Sequence, residues 1–355
     1  MVRVIIIGTG GWGAVWCRHT LVKGEKEGWI KVVGAVDTDP SQLIYAREGL
    51  GLSEEVLYTD PKEAMEQLKP DACIISAAPY AHAELILLAL EHRIPILCEK
   101  PVTDNLDSMV TILQKVKKNP IPFGITFSHR FSRPIVSLKR EILSGRYGQL
   151  DYLVMNFTCK EERPFTKRKQ TAWEVMTNEF NIHHLDYLLY LAGASCEWIF
   201  AEKWNPHERT SLHGGGQGMI IMKCKNGVRI SLESNIVAAN SLFGWGNPFI
   251  RAEMERAELL LKGDQLFCYW KEKDAPINHS CESEKIPMVP DERYWGNEYL
   301  LKQFVDWMKG KEAMETSLEQ AAWSQMLVFA AVESAKSGKK IYLDSFIREA
   351  MENQK

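Results

Sequence analysis

Val2-Arg3-Val4-Ile5-Ile6-Ile7-Gly8-Thr9-Gly10-Gly11-Trp12-Gly13 is a short apolar run that breaks into a glycine loop, and its reading decides the fold. An apolar run rich in Val and Ile, flanked by turn residues, is the pattern of a strand buried on both faces, as in a parallel sheet. Gly8 to Gly13 matches G-x-G-x-x-G, and a helical pattern follows it as far as Val22. Glycines at those positions allow a tight turn and close approach of backbone to a pyrophosphate, whose charge then meets the helix N-terminus.

The same grammar continues outward from this loop. Ile30 to Val36 reads as a second strand ending in Asp37 and Thr38, after which Asp39 caps a helix with Pro40 in its first turn. Further strands are predicted at Val56 to Tyr58, Ala72 to Ser76, Ile94 to Cys98 and Pro122 to Ile125, with helices at Pro61 to Gln67, Ala81 to Glu91 and Leu106 to Lys117. Strands alternating with helices predict an α/β fold whose N-terminal part is a Rossmann-type, doubly wound parallel sheet of six strands. Asp37 then has two readings. Its carboxylate takes the ribose hydroxyls of NAD and repels the 2′-phosphate of NADP, or it caps the turn into Thr38-Asp39-Pro40. The first predicts NAD in preference to NADP. At the end of the fifth strand stands Glu99-Lys100-Pro101, and in an open α/β sheet a charged residue at that rim faces the ligand crevice.

After Gly124 the pattern changes. A helix at Arg133 to Leu143 precedes Gln149 to Cys159, which alternates like a half-exposed strand. Met219 to Cys224 and Val228 to Glu233 flank Asn226-Gly227, which predicts a hairpin with a type I′ turn and positive φ at both central residues. Ala257 to Leu261 and Gln265 to Trp270 form a second hairpin through Lys262-Gly263-Asp264. Residues 125–355 therefore read as an α+β domain with an open, mainly antiparallel sheet, following a nucleotide-binding domain over residues 1–124. The uncovered face of such a sheet predicts a homodimer or homotetramer.

Bulk properties agree with two soluble domains. At 355 residues the chain exceeds one ordinary core, and it is 45% hydrophobic and 25% charged with a net charge of -3. There is no basic excess to suit nucleic acid. The dense run Lys167-Arg168-Lys169, with Arg163 nearby, reads as a solvated loop or as a contact for a phosphate or acidic substrate. Eight cysteines without a C-x-x-C pair read as reduced thiols rather than disulfides or a zinc site. Met1-Val2-Arg3 enters the first strand without the apolar region of a signal peptide, and no apolar run approaches the roughly 18 residues of a membrane span. These features predict a cytoplasmic protein with no membrane partner.

Five stretches together resemble the glucose-fructose oxidoreductase/inositol dehydrogenase/rhizopine catabolism (Gfo/Idh/MocA) family: Gly8 to Gly13, the Ser76-Ala77-Ala78-Pro79 to His82 loop, Glu99-Lys100-Pro101, Ser128-His129-Arg130-Phe131, and Ile182-His183-His184-Leu185-Asp186. The resemblance runs over nearly the whole length. It implies that Lys100 lies near the nicotinamide and the substrate hydroxyl, that Glu99 and Pro101 fix the strand end, and that His82 closes the loop after the fourth strand. That loop is Thr-Pro-Asn in the family and Ala77-Ala78-Pro79 here. It also implies that His129 and Arg130 touch substrate, although an arginine bracing the domain junction suits the same position.

Glu179 and His183 are four apart in a segment patterned as a helix, so they share a face, and Asp186 follows three later to hold His183 or its neighbour. Family members typically carry aspartate at the position of Glu179 and glycine at that of Asn181, and the glycine-rich run before them is Glu174-Val175-Met176 here. The resemblance implies an NAD-dependent oxidoreductase acting on a sugar, polyol or glycoside. Oxidising a secondary alcohol removes a proton from oxygen while hydride leaves carbon, so a neutral His183 suits the base and the Lys100 ammonium suits the developing alkoxide. The family also contains glycosidases that pass through a transient keto-sugar, and a non-catalytic repressor that senses nucleotide and sugar. A histidine pair on a helix is equally an ordinary core pattern, and a metal site from Glu179, His183 and Asp186 lacks a further ligand. Trp173, Trp204, Trp245 and Trp295 are candidates to stack on a sugar face.

Overall fold

The computed structural model describes residues 1–161, 171–205, 214–271, 282–291 and 294–353. Arg163, the run Lys167 to Lys169 and Cys281 lie outside the described residues. The chain divides into two compact units: Met1–Ser128 with Tyr294–Ala322 and Ala350–Lys355, and His129–Arg293 with Trp323–Glu349.

Six strands build the first unit: β1 (Val2–Ile7), β2 (Ile30–Val36), β3 (Leu57–Tyr58), β4 (Ala72–Ile75), β5 (Ile96–Cys98) and β6 (Phe123–Ile125). They run parallel in the order β3-β2-β1-β4-β5-β6, the doubly wound arrangement that the sequence predicts. Every residue of β4 and β5 is buried, which explains why these strands read as continuous apolar runs without alternation. The order reverses between β1 and β4, and that switch point opens the ligand crevice at the carboxyl ends of the strands.

Some helical segments start where short polar side chains answer their first amides. Asp39 accepts from Ser41 N at 3.0 Å ahead of a 3-10 turn, Pro40–Leu43, and the helix Ile44–Leu50. Asn105 accepts from Ser108 N at 2.9 Å to cap the helix Leu106–Lys118. Close approach explains two glycines. At Gly24 a Cβ would come within 2.9 Å of Leu301, on the helix Gly296–Met308, and at Gly124 it would come within 1.9 Å of Met314 Sδ. Beside Gly124, Ile125 N donates to Thr316 O at 2.9 Å and Thr316 Oγ1 returns a bond to Ile125 O at 2.6 Å, so the β6 edge is not left open.

Among the described residues the second unit holds a sheet of nine strands: β7 (Leu150–Thr158), β8 (Cys196–Trp204), β9 (Gln217–Cys224), β10 (Arg229–Asn235), β11 (Phe249–Met254), β12 (Ala257–Lys262), β13 (Gln265–Trp270), β14 (Ser283–Ile286) and β15 (Ile341–Tyr342). Their order is β14-β13-β12-β11-β7-β10-β9-β8-β15. All neighbours are antiparallel except β7 and β10. Along β9 the residues Gly218, Ile220, Met222 and Cys224 are buried, while Met219 and Ile221 are exposed, the alternation of a sheet with one covered face. On the covered side Tyr187, from the helix Ile182–Ala192, brings its hydroxyl to 3.1 Å from Met155 Sδ on β7.

The two hairpins differ in their agreement with the sequence reading. Lys262 pairs with Gln265 across Gly263-Asp264, with Gly263 at φ +61°. The β9–β10 turn is not type I′. Gly227 has a positive φ of +96°, whereas Asn226 is not among the described non-glycine residues with positive φ. Gly227 N donates to Cys224 O at 2.9 Å and Cys224 N donates to Val228 O at 2.8 Å, so the loop is longer and glycine takes its left-handed end. The Asn226 side chain is engaged instead, donating to Ala192 O at 2.9 Å and accepting from Val228 N at 3.3 Å.

Candidate active site

The glycine loop of the first unit forms a cradle that side chains would fill. Gly8 has φ +87°, and a Cβ there would lie 2.4 Å from Ala77 N; a Cβ on Gly13 would lie 2.1 Å from Gly8 O. Gly10 approaches Gln42 in the same way, whereas Gly11, at φ +53°, faces open space. From Trp12 the chain is continuously helical to Lys26, through an α-turn, a π-turn over Trp16–Thr20 and a second α-segment. At the neighbouring end of β4 the Ser76 hydroxyl is buried and has no hydrogen-bond partner among the described residues. A bare backbone loop, a following helix and an unanswered buried hydroxyl together suit a dinucleotide.

Asp37 stands at the end of β2, where its backbone N donates to Tyr58 O at 3.1 Å. Its Oδ2 accepts from Thr9 N at 2.8 Å and Gly10 N at 3.2 Å, and Oδ1 accepts from Asp39 N at 3.0 Å. Of the two sequence readings, the structure meets the capping one. Asp37 caps its own turn and also sets the glycine loop, with Thr38 exposed beside it.

Hydrogen bonds continue the sheet past its strand ends. Ser76 N donates to Ile7 O and Glu99 N to Ile75 O, each at 2.8 Å, which lines up Gly8, Ser76 and Glu99-Lys100 along one edge. Glu99 is buried, and its Oε1 accepts from the indole Nε1 of Trp12 at 2.9 Å and of Trp16 at 2.8 Å. Oε2 accepts from Lys100 N at 3.2 Å. The carboxylate thus ties the lysine's strand end to the helix that leaves the glycine loop, and three charge-assisted donors offset its burial. Trp16 is the residue that sequence reasoning missed. Its signal is the Trp12-x-x-x-Trp16 spacing, which places two indoles on one helix face.

His82 is fully buried below this edge, with Nδ1 2.7 Å from Pro101 O and Nε2 2.9 Å from Ala77 O. The peptide bond between Lys100 and Pro101 is cis. Burial is the dominant influence on His82 and holds its pKa below the usual 6.5; the two carbonyls pull the other way and the Lys100 charge adds to the lowering. Both partners are acceptors, so each contact is a hydrogen bond only when the facing ring nitrogen carries its proton, and a neutral ring answers one carbonyl at a time according to its tautomer.

In the second unit the helix Ile182–Ala192 is preceded by a π-turn over Met176–Asn181, not by the uninterrupted α-helix that the sequence pattern predicts. Glu179 lies within that turn and is half-buried, and His183 opens the helix, nearly buried. The extra residue of the π-turn shifts the register between them, and such turns often accompany functional sites. Thr171 starts the whole segment with a capping box: its Oγ1 accepts from Glu174 N at 3.3 Å, and the Glu174 carboxylate accepts from Thr171 N at 2.6 Å. Glu174, standing where a glycine-rich run is expected, is thus a helix-starting residue.

Asp186 does not hold His183. It is fully buried and accepts from Arg130 Nε at 2.9 Å, from Arg130 Nη2, and from Ser324 Oγ at 2.8 Å. Arg130 forms that ion pair through Nε and Nη2, and it also lies over the Tyr190 ring. His129 meets the His183 ring edge-on at 4.4 Å between centroids. His184, the other member of the pair, points into the core; its Nδ1 lies 3.3 Å from Asn181 Oδ1, which also accepts from Ser234 Oγ at 2.7 Å. Burial first, then the nearby His129, holds the pKa of His184 well below the usual value. Asn181, where family glycine is expected, thus braces His184. Trp173 is fully buried over Gly218, whose added Cβ would touch its ring at 2.2 Å, so it offers no face to a ligand.

Among the described residues no group of three or more His, Cys, Asp or Glu is placed to hold a metal ion, and no helix is long and apolar enough to cross a membrane. Burial pushes the thiols of Cys17 and Cys73 up to about 12, which removes them as nucleophiles at neutral pH.

A parallel sheet with a glycine cradle at its switch point is the arrangement of a dinucleotide-binding fold, and a lysine stands on the same edge. The comparison with known proteins agrees: a model of the Gfo/Idh/MocA oxidoreductase family, with its NAD-binding Rossmann fold, matches residues 2–127. Residues 2–127 are thus similar to the NAD-binding part of that family. It is similar to an uncharacterized protein of Sinorhizobium fredii, y4oX, at 29% identity over 98% of this chain and 97% of that one. It is also similar to an inositol 2-dehydrogenase of Corynebacterium glutamicum, at 25% identity over 69% of this chain and 70% of that one. Among solved structures, a putative NADPH-dependent oxidoreductase from Desulfitobacterium hafniense shares the fold, with a TM-score of 0.80 and 18% identity over 98% of this chain and 99% of that one.

Proposed function

We propose that this protein is an NAD-dependent oxidoreductase that moves hydride between the nicotinamide and a secondary hydroxyl of a sugar, polyol or glycoside, with Lys100 and His183 as the proton-handling pair. The observation that carries the proposal is Lys100 at the edge of the first sheet, joined through Glu99 to the helix of the glycine cradle. Kinship with an inositol 2-dehydrogenase supports the substrate class. In this reading residues 1–124 hold the nucleotide, through Gly8, Gly10, Gly11, Trp12, Gly13, Asp37, Thr38, Ser76, Ala77, Ala78, His82 and Glu99, and residues 125–355 take the substrate and pair subunits.

The cofactor, when bound, accepts or returns the hydride. The residues supply the rest. The Lys100 ammonium donates a hydrogen bond to the reacting oxygen and stabilises charge that develops there. His183 takes the hydroxyl proton as a neutral imidazole. Glu179 orients that pair through its carboxylate, and His129 limits the ring positions open to His183. Asp37 selects NAD over NADP by repelling a 2′-phosphate. Exposed Met219 and Ile221 on the outer sheet face support a homodimer or homotetramer formed there, and free, buried thiols support a cytoplasmic location.

The test is to incubate purified protein with NAD and a panel of inositols, sugars, acyclic polyols and aryl glycosides, and to follow absorbance and product mass. NADH with a keto product supports the proposal. Released aglycone with no net NADH identifies a glycosidase passing through a keto-sugar, and tight nucleotide binding without turnover identifies a sensor; either result overturns it.

A further inference from the structure

We infer that the buried Arg130–Asp186 ion pair, steadied by Ser324, positions His183 and cancels the charge beside it, so that the imidazole serves as a neutral base. This inference rests on the function proposed above and adds three positioning residues to it. Asp186 stands one turn beyond His183 on the helix Ile182–Ala192, a spacing that puts two Cβ atoms about 5–6 Å apart. Arg130 follows His129 in the 3-10 turn Ser128–Phe131, and His129 meets the His183 ring edge-on at 4.4 Å between centroids. Each arm of the ion pair is therefore tied to one of two imidazoles in contact. Nε and Nη2 of Arg130 take separate oxygens of Asp186, a fork that fixes direction as well as distance. Ser324, on the helix Leu318–Ser337, donates to Oδ1 at 2.8 Å, so three donors from two distant segments hold one carboxylate.

Burial makes the cancellation matter. The Asp186 side chain is fully buried and that of Arg130 is 11% exposed, and the Trp245 ring packs against both imidazoles, 4.7 Å from His129 and 5.5 Å from His183. Water screens little there, so a single unbalanced charge one helical turn away acts strongly on an imidazole. Asp186 alone would hold a proton on His183 and spoil it as a base. Arg130 alone would drive the proton off and weaken the ring's pull on a hydroxyl. Together they cancel. Glu179 and His184 flank His183 on its own segment, and Lys139 is engaged by the carbonyls of Tyr190 and Leu191 at 2.5 and 3.3 Å, which leaves Arg130 to answer Asp186. Stability does not call for such a pair, because well-packed apolar residues often replace a buried ion pair without loss. What apolar residues would not supply is the directional tie between the turn of His129 and the helix of His183.

The test reads the His183 ring itself. Full-length protein with isotope-labelled histidine is titrated by NMR as wild type, Arg130→Gln, Asp186→Asn, the double variant and Ser324→Ala, with His183→Gln assigning the signal. Arg130→Gln leaves the carboxylate uncancelled and should raise the pKa of His183 by about one unit or more, Asp186→Asn should lower it by about as much, and the double variant should return it to within about 0.5 unit of wild type. Ser324→Ala keeps both charges and loosens the tie, so the titration should hold while kcat on an accepted polyol falls about three- to tenfold, and Ser324→Thr should restore it. Single variants that leave the titration unmoved, or move it in one direction, overturn the inference, as does full turnover in Ser324→Ala. Should a single variant not fold, the double variant decides: a wild-type titration with kcat lowered about tenfold or more supports the tie, and wild-type kcat overturns it. The titration needs no turnover, so opposite shifts in a protein that transfers no hydride uphold the action of the ion pair on His183 and refute the dehydrogenase reading instead.

Discussion

Replacing Trp16 with phenylalanine tests how Glu99 is held and, through it, how the strand end bearing Lys100 is set. Trp16 is fully buried and donates to Glu99 Oε1 at 2.8 Å; Trp12 donates to the same oxygen at 2.9 Å but is 54% exposed. A hydrogen bond to a charged acceptor contributes about 1.5–3 kcal/mol, and the part of the indole that phenylalanine does not fill adds about 1–2 kcal/mol. Trp16→Phe should therefore cost about 2.5–5 kcal/mol. Trp12→Phe should cost about 0.5–1 kcal/mol, because water can replace an exposed donor. Glu99→Gln removes the charge, and in that background the Trp16 substitution should lose about 1 kcal/mol or more of its effect. The assay is urea unfolding followed by far-UV circular dichroism on the four single and double variants. Equal costs at Trp12 and Trp16, or strict additivity of Trp16→Phe with Glu99→Gln, would refute the reasoning.

Asp37→Ala should narrow the preference for NAD over NADP roughly tenfold, measured as the ratio of their dissociation constants; an unchanged ratio removes Asp37 from nucleotide selection. Acid should destabilise the fold in a defined window. His82 and His184 are held neutral below the ordinary value of 6.5, so as pH falls below about 6.5 the unfolded chain gains protons that the folded chain refuses, and stability declines. The melting temperature should fall between pH 7.5 and 5.5, and His184→Gln should flatten that slope; a flat wild-type profile contradicts the burial of both rings. Asp186→Ala leaves the Arg130 guanidinium without its buried carboxylate and should cost about 3–5 kcal/mol, read by chemical denaturation. A loss below about 1 kcal/mol would show that the pair is solvated.

The first sheet is legible in the sequence because its order follows from local signals. β1, β2, β4 and β5 are apolar runs separated by helices, and parallel strands joined by helices have few ways to assemble. The glycine cradle is legible in part for the same reason, since a Cβ on Gly13 would meet Gly8 O five residues earlier, whereas the contact that excludes one from Gly8 is with Ala77 N, far along the chain. What the sequence obscures depends on partners distant along the chain. Asp186 stands three residues from His183, yet it binds Arg130 and Ser324, which only the folded chain brings near. The π-turn at Met176–Asn181 has no periodicity of its own, so a helical pattern runs through it unmarked. The Asn226-Gly227 pair signals a hairpin correctly but not its turn, because Asn226 is drawn to Ala192 O. Trp245 is one aromatic among eleven tryptophans until the neighbouring rings single it out.

The central claim is that Lys100 handles the proton while hydride passes to the nicotinamide. Its most direct test is Lys100→Met, assayed on a polyol or sugar that the wild type oxidises, with NADH affinity measured on the same preparation. The account predicts that kcat falls about a hundred- to ten-thousandfold while NADH binding stays within about twofold. Full activity in Lys100→Met would contradict it.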